Sequence, residues 1–251
     1  MNGLTQAKAK QIRALRQKKG REESGFFLVE GAKAVLETLR AGWPVQTLLA
    51  TPEFLAQLEK DLTSHIPEIL FCSGQALSET GNFSSNNAAL LVACQKSPQQ
   101  VPDSNADCWL VLENISDPGN LGTLIRLADW FGLSEIVCLG ACVEWYNPKV
   151  VSSSMGSFLR ISQVKLSNKE LINSGRVLLA AGMSGGNLYE FSFPAKMALL
   201  IGNEASGLSP AWLQPPAVQI SIPSFGRAES LNAAMAGGIL LSHWKKQSLQ
   251  K

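Results

Sequence analysis

Asn120 and Arg126 stand six residues apart in DPGNLGTLIRLADWFG, residues 117–132, and pose the first question about this chain. Asp117-Pro118-Gly119-Asn120 is turn chemistry, with Pro fixing φ and Gly free to take positive φ. Leu121, Leu124, Ile125 and Ala128 then recur at helical spacing toward Gly132, a residue suited to stopping a helix. Two further polar clusters could act with this pair: Gly202-Asn203-Glu204 in GNEASGLS, and Ser230-Leu231-Asn232 in PSFGRAESLN. The sequence holds only His65 and His243, and neither falls in these clusters. That speaks against a histidine general base, a Ser-His-Asp triad or a zinc site, so no metal is expected. No GxxxxGK[ST] occurs, and no GxGxxG follows the first strand of this half, so phosphate loops and dinucleotide sites lack support. Chemistry here must run on Arg, Asn, Glu, Ser and backbone groups. Each residue also has an ordinary role: Asn120 as a helix cap, Arg126 reaching solvent, 202–204 as a turn, Ser230 as a cap and Asn232 on a helix surface.

The elements that must position these residues are legible as apolar runs. CWLVLE, EIVCLG, FLRISQV, RVLLAAGM, MALLIG and VQISIP read as strands buried on both faces of a parallel sheet. Helical segments lie between them, the last being ESLNAAMAGGILLSHWKKQ, and this alternation predicts an α/β sheet with crossover helices. The three polar clusters each follow a strand, at the carboxyl ends where open α/β sheets bind ligands. Each also leads into a helix start, where free N–H groups favour anionic or hydrogen-bonding ligands. Gly237 and Gly238 inside the last helix each cost about 1 kcal/mol against Ala, which suggests close packing, at a dimer interface for example.

The first half reads as a smaller α/β unit. A basic helix precedes the strand FFLVEG, the helix AKAVLETLRAG, the strand VQTLLAT, a helix over 52–62 and the strand EILFCS. ALSETGNFSSNNAALLVACQ reads as a polar loop running into a strand. Pro, Ser, Asn and Gln then dominate a linker. The expected division is 1–96 for the basic helix and small domain, 97–106 for the linker, and 107–251 for the larger domain.

Net charge is only +2, but its distribution is uneven. Lys8, Lys10, Arg13, Arg16, Lys18, Lys19 and Arg21 put seven positive charges and no acid in the first 21 residues, leaving the rest five units negative. A basic arm on an acidic body suggests an anionic partner such as RNA, with these seven residues as the contacts. No apolar run approaches the ~20 residues that cross a bilayer. With no apolar signal core and five cysteines lacking a CxxC pair, reduced thiols and a cytoplasmic location are expected.

In order, NISDPGNLGTLIRLADWFG, IGNEASGLS and IPSFGRAESLNAAMAGGILL resemble the three signature motifs of the SpoU/TrmH family of RNA ribose 2′-O-methyltransferases, over roughly residues 107 to 245. KKGREESGFFLVEG and the following elements are similar to the small ribosomal-protein-like substrate-binding domain often found there. TGNFSSNNAALLVAC departs from the Thr/Pro-Gln-Gly sequence of many relatives, and Ser152 stands where many carry an Arg. The resemblance implies a carboxy-terminal domain with a trefoil knot, S-adenosylmethionine as cofactor, a homodimer, and a ribosomal or transfer RNA substrate. It also implies that Asn120, Arg126, Glu204, Ser230 and Asn232 are catalytic and that Ala181, Gly202, Asn203, Ile222 and Leu231 bind cofactor. The rival from another class is a non-catalytic RNA- or ribosome-binding protein that keeps the fold.

Overall fold

The computed structural model describes residues 2–250 and divides into two compact units, 1–96 with 146–159, and 97–145 with 160–251. In the first unit the chain runs β1 (Asn2–Gly3), α1 (Gln6–Ala14), α2 (Lys18–Ser24), β2 (Phe26–Glu30), α3 (Ala32–Arg40), β3 (Val45–Ala50), α4 (Pro52–Ala56), α5 (Lys60–Thr63), β4 (Glu68–Phe71), α6 (Gly74–Thr80) and β5 (Ala89–Cys94). These strands form a mixed five-stranded sheet in the order β1-β4-β3-β5-β2. Ile12, Leu15, Leu28, Leu49, Leu70, Leu77 and Leu90 form its core on the helical side of α1 and α6.

The basic stretch folds as two helices, not one. Arg21 turns back on the end of α1 and donates to the carbonyl oxygens of Leu15 (2.8 Å) and Arg16 (2.9 Å), groups a helix end leaves unpaired. Residues 76–80, expected within a polar loop, belong to α6 because Ser73 caps the helix, its Oγ accepting from the amide of Ala76. The segment after α6 is held by the Glu30 carboxylate, which accepts from the backbone amides of Asn82 and Phe83. The helix expected over 52–62 is divided into α4 and α5.

The second unit begins with β6 (Cys108–Glu113), α7 (Pro118–Trp130) and β7 (Glu135–Leu139). The chain then contributes 146–159, with α8 (Pro148–Ser153), to the first unit. Here Tyr146 and Phe158 complete an aromatic cluster with Phe27 and Trp43: Phe27 lies 4.4 Å from the Tyr146 ring and 5.8 Å from that of Phe158. Phe158 and Leu159 thus lie outside the strand expected to begin at 158. The chain returns with β8 (Ser162–Lys165), α9 (Asn168–Ile172), β9 (Val177–Gly182), β10 (Gly186–Asn187), β11 (Met197–Ile201), β12 (Val218–Ser221) and α10 (Ala233–Ser248). All seven strands pair in parallel, in the order β10-β12-β9-β11-β6-β7-β8. The segment 97–106 is tied to this unit rather than free of it: Gln99 donates to the carbonyl of Gln163 and accepts from the amide of Lys165. Among the described residues no helix is long and apolar enough to cross a membrane.

Candidate active site

The three polar clusters meet through side-chain amides. Asp117 caps α7, its carboxylate accepting from the amide of Asn120 at 2.8 Å, so Asn120 stands in the first turn with its side chain free to bond elsewhere. Its Nδ2 makes a short hydrogen bond to Glu204 Oε1. Asn232 caps α10, with Oδ1 accepting from the amide of Met235 (2.7 Å) while Nδ2 donates to Asn120 Oδ1 (3.3 Å). The helix therefore starts at 233, not near 229, and Asn232 rather than Ser230 is its cap. Asn232, Asn120 and Glu204 form one polar chain drawn from segments 112 and 84 residues apart.

Asn203 shapes the loop that presents Glu204. Its Oδ1 accepts from the amides of Ala205 (2.9 Å) and Ser206 (3.2 Å), closing the turn. Its Nδ2 donates to the carbonyl of Asn114 and to Ser116 Oγ, both at 3.0 Å, fastening this turn to the end of β6. Gly202 is required by that same turn, since a Cβ there would overlap the backbone of Gly207 and Leu208. The resemblance gives this glycine to cofactor binding, and the loop folding back on it is a second reason for a glycine there. Gly237 likewise packs inside the chain, where a Cβ would meet Leu124 and Ile201, rather than marking an interface.

Beside the chain lies a cavity of about 570 Å³ at the carboxyl ends of β9, β11 and β12. Ala181, Gly202, Asn203, Glu204, Ile222, Ser230 and Leu231 line it, so all five residues expected to bind cofactor and two of those expected to be catalytic share one space. Ile201, Ile220 and Leu240 extend its apolar wall. Volume and lining suit a ligand of several hundred daltons with one apolar and one polar end. These residues would fit S-adenosylmethionine, the cofactor the resemblance implies, since an aliphatic wall would suit an adenine and polar side chains would suit a charged amino-acid end. Asn120 and Asn232 do not line this space themselves; Asn120 is joined to it through Glu204, and Asn232 stands between the lining residues Leu231 and Ala233.

Arg126 is not among the lining residues. It is exposed on α7 and, among the described residues, has no hydrogen-bond or ion-pair partner. The RNA-contact residues also divide. Lys10, Arg13, Arg16, Lys18 and Lys19 are exposed, whereas Lys8 pairs with Glu68 and Arg21 is only 2 % exposed. Arg21 is a correction: its guanidinium is spent on the carbonyls that end α1, out of reach of a phosphate.

Sequence reasoning missed Glu113. It is buried at the end of β6 and accepts from Ser209 N (2.7 Å), Ser209 Oγ (2.8 Å) and Trp212 Nε1 (2.9 Å), anchoring the far side of the 202–209 loop. A lone acid ending an apolar strand was the available signal, because a buried carboxylate demands partners. Nearby, hydrogen bonding by Cys138 holds the Cys142 thiol below its ordinary pKa, while at the opposite end of β6 burial pushes Cys108 up to about 12. Among the described residues no group of three or more His, Cys, Asp or Glu is placed to hold a metal ion.

Comparison with known proteins bears on this geometry. Residues 107–242 match the SpoU rRNA Methylase family, and residues 6–86 match the MRM3-like substrate binding domain. The chain is 30% identical to the 23S rRNA (guanosine(2553)-2′-O)-methyltransferase of Bacillus subtilis, covering 94% of this chain and 95% of that protein. The SpoU methyltransferase AviRb of Streptomyces viridochromogenes, solved with AdoMet, is 29% identical with a TM-score of 0.83, covering 98% of this chain and 99% of the other. An AdoMet-bound rRNA methyltransferase from Sinorhizobium meliloti is 30% identical with a TM-score of 0.82, covering 98% and 97%.

Proposed function

The chain belongs to the SpoU rRNA methylase family, and from that premise we propose that it methylates a ribose 2′-hydroxyl of ribosomal RNA with S-adenosylmethionine as donor. The observation that carries the reading is the chain Asn232–Asn120–Glu204 at the edge of the 570 Å³ cavity. A protein kept only for binding RNA has no use for this arrangement. When bound, S-adenosylmethionine supplies an already activated methyl group, so the protein's work is orientation and charge. Ala181, Gly202, Ile222 and Leu231 would hold it, Asn203 keeps the 202–207 turn closed around it, and Ser230 stands on the rim. Asn120 and Asn232 fix the Glu204 carboxylate. Arg126, with no partner among the described residues, is available to the RNA and would stabilise the negative charge that develops on the ribose oxygen as its proton passes to water. The 2′-hydroxyl also separates RNA from DNA at the target.

Ribosomal rather than transfer RNA is the substrate in this reading, supported by relatives named for 23S rRNA positions, among them the Bacillus subtilis and Streptomyces viridochromogenes enzymes. The exposed cations of α1 and α2 hold its phosphates. The working unit is a two-fold homodimer. A groove of about 490 Å³ on α7 and α10, lined by Thr123, Leu127, Met235, Gly238 and Ile239, is the surface for it, and Arg126 lies one helical turn from Thr123. The trefoil knot and a cytoplasmic location complete this reading.

The test is methyl transfer from labelled donor onto unmodified ribosomal and transfer RNA, followed by mapping of alkali-resistant linkages. One 2′-O-methylated ribosomal nucleotide is expected. Label on a base, or on transfer RNA alone, overturns the assignment. Sedimentation showing only a 27.0 kDa species at micromolar concentration overturns the dimer.

A further inference from the structure

Phe225 is 90 % exposed, more than any other aromatic side chain among the described residues. It belongs to the loop joining β12 to α10, and with Ser224, Ala228 and Ser230 it lines one side of the cavity. All of 224–232 is exposed, and Arg227 stands two residues on. The ring gains nothing from its own chain, since apolar surface left in water forfeits the stabilisation of burial. The cavity already has an aliphatic wall in Ile201, Ile220, Ile222, Leu231 and Leu240, so an adenine inside it does not need this ring. What the cavity lacks is a surface for the second molecule. A ribose brought to its mouth arrives with a base attached, and a base taken from its stack needs a new face. Exposed aromatic rings supply such faces for single-stranded RNA.

We propose that Phe225 stacks on the base of the nucleotide whose ribose is methylated, holding that nucleotide at the cavity mouth. This rests on the methyltransferase reading above. Phe225 is then a substrate-positioning residue, and its stack tolerates any base because every base has a π-face. Which nucleotide is chosen must come from elsewhere, including the RNA shape read by the first unit.

The experiment pairs removal of the ring with removal of the base. Wild type, Phe225→Ala and Phe225→Trp are compared with S-adenosylhomocysteine present, on an RNA fragment spanning the mapped position and on one whose target ribose carries no base. For the intact RNA, Phe225→Ala should weaken binding by about ten- to a hundredfold, the range of one base–aromatic stack, and Phe225→Trp should restore it. On the base-less RNA wild type and Phe225→Ala should bind alike. S-adenosylhomocysteine affinity without RNA and sedimentation should be unchanged by the substitution. Equal binding of intact RNA by wild type and Phe225→Ala overturns the proposal, as does a deficit of the same size on base-less RNA. Lost S-adenosylhomocysteine affinity would make the ring a cover for the cofactor, and dissociation of the assembly would make it an interface residue; either also overturns it. If wild type methylates no ribose at all, the parent reading fails instead, so the two failures are distinguishable.

Discussion

The basic arm and the strand-end clusters both stand out in the sequence by their polar residues, yet the fold treats them in opposite ways. In the arm, much of the charge is turned to local use. Arg21 ends α1, Lys8 pairs with Glu68, and Lys18 and Lys19 face Glu22 and Glu23 one turn away. At the strand ends the uncharged amides do the fastening, so that Asn120, Asn203 and Asn232 hold one another's segments together. The strong cations there, Arg126 and Arg227, have no hydrogen-bond or ion-pair partner among the described residues. Charge counted along a chain therefore overstates what is free for a ligand. Carboxamides are easily read as turn residues, but they carry both a donor and an acceptor and can join segments far apart in sequence.

The sharpest test of this contrast is Arg126→Ala. If the exposed guanidinium meets the transition-state charge as proposed, its removal should cost about 10²–10³ in single-turnover methyl transfer, by analogy with removing one oxyanion donor. Thermal stability and affinity for S-adenosylhomocysteine should stay near wild type, because the lost interaction matters mainly in the transition state. Near-normal transfer would reduce Arg126 to a surface residue. Arg21→Ala should do the reverse. Losing one buried and one partly buried hydrogen bond from a charged donor should destabilise the fold by about 2–4 kcal/mol in denaturant unfolding, with Lys a poor substitute. Unchanged stability together with weakened RNA binding would return Arg21 to the RNA surface.

Between these lies the arm's exposed set. Replacing Arg13 and Arg16 together should lower RNA affinity and reduce the slope of log affinity against log salt by about 2, without changing cofactor binding. An unaltered slope would move the phosphate contacts off α1. The smallest effect belongs to the Lys8–Glu68 pair. The hydrogen bond from Lys8 holds the Glu68 carboxyl below its ordinary 4.5. A carboxyl depressed in the folded state contributes stability above its unfolded value and loses it as pH falls through the folded one. Wild type should thus melt slightly above Glu68→Gln at pH 7, by a few tenths of a kcal/mol for so exposed a pair, and the gap should close below about pH 4. A gap that persists in acid would mean that packing rather than charge holds Glu68.

Sequence by itself determined the larger sheet. CWLVLE, EIVCLG and MALLIG became parallel strands within a residue of expectation, because a strand buried on both faces is apolar along nearly its whole length, while VQISIP, partly exposed, became a strand that ends two residues earlier than expected. It also marked the three polar clusters at carboxyl ends, since turn residues after a strand are local chemistry. Whatever depended on a distant partner was decided only by the tertiary structure. Nothing in VVSSSMGSF announces that residues 146–159 join the first unit; the rings of Phe27 and Trp43, more than a hundred residues earlier, decide it. Arg21 reads as a free cation until the end of α1 is placed beneath it, and Glu113 as one more acid until Ser209 and Trp212 close over it. Gly202 reads as room for a ligand until residue 207 folds back against it. Local pattern records what a residue wants from solvent and from its neighbours in the chain. Burial of a charge, or the need for a missing Cβ, is set by segments that sequence spacing does not bring together.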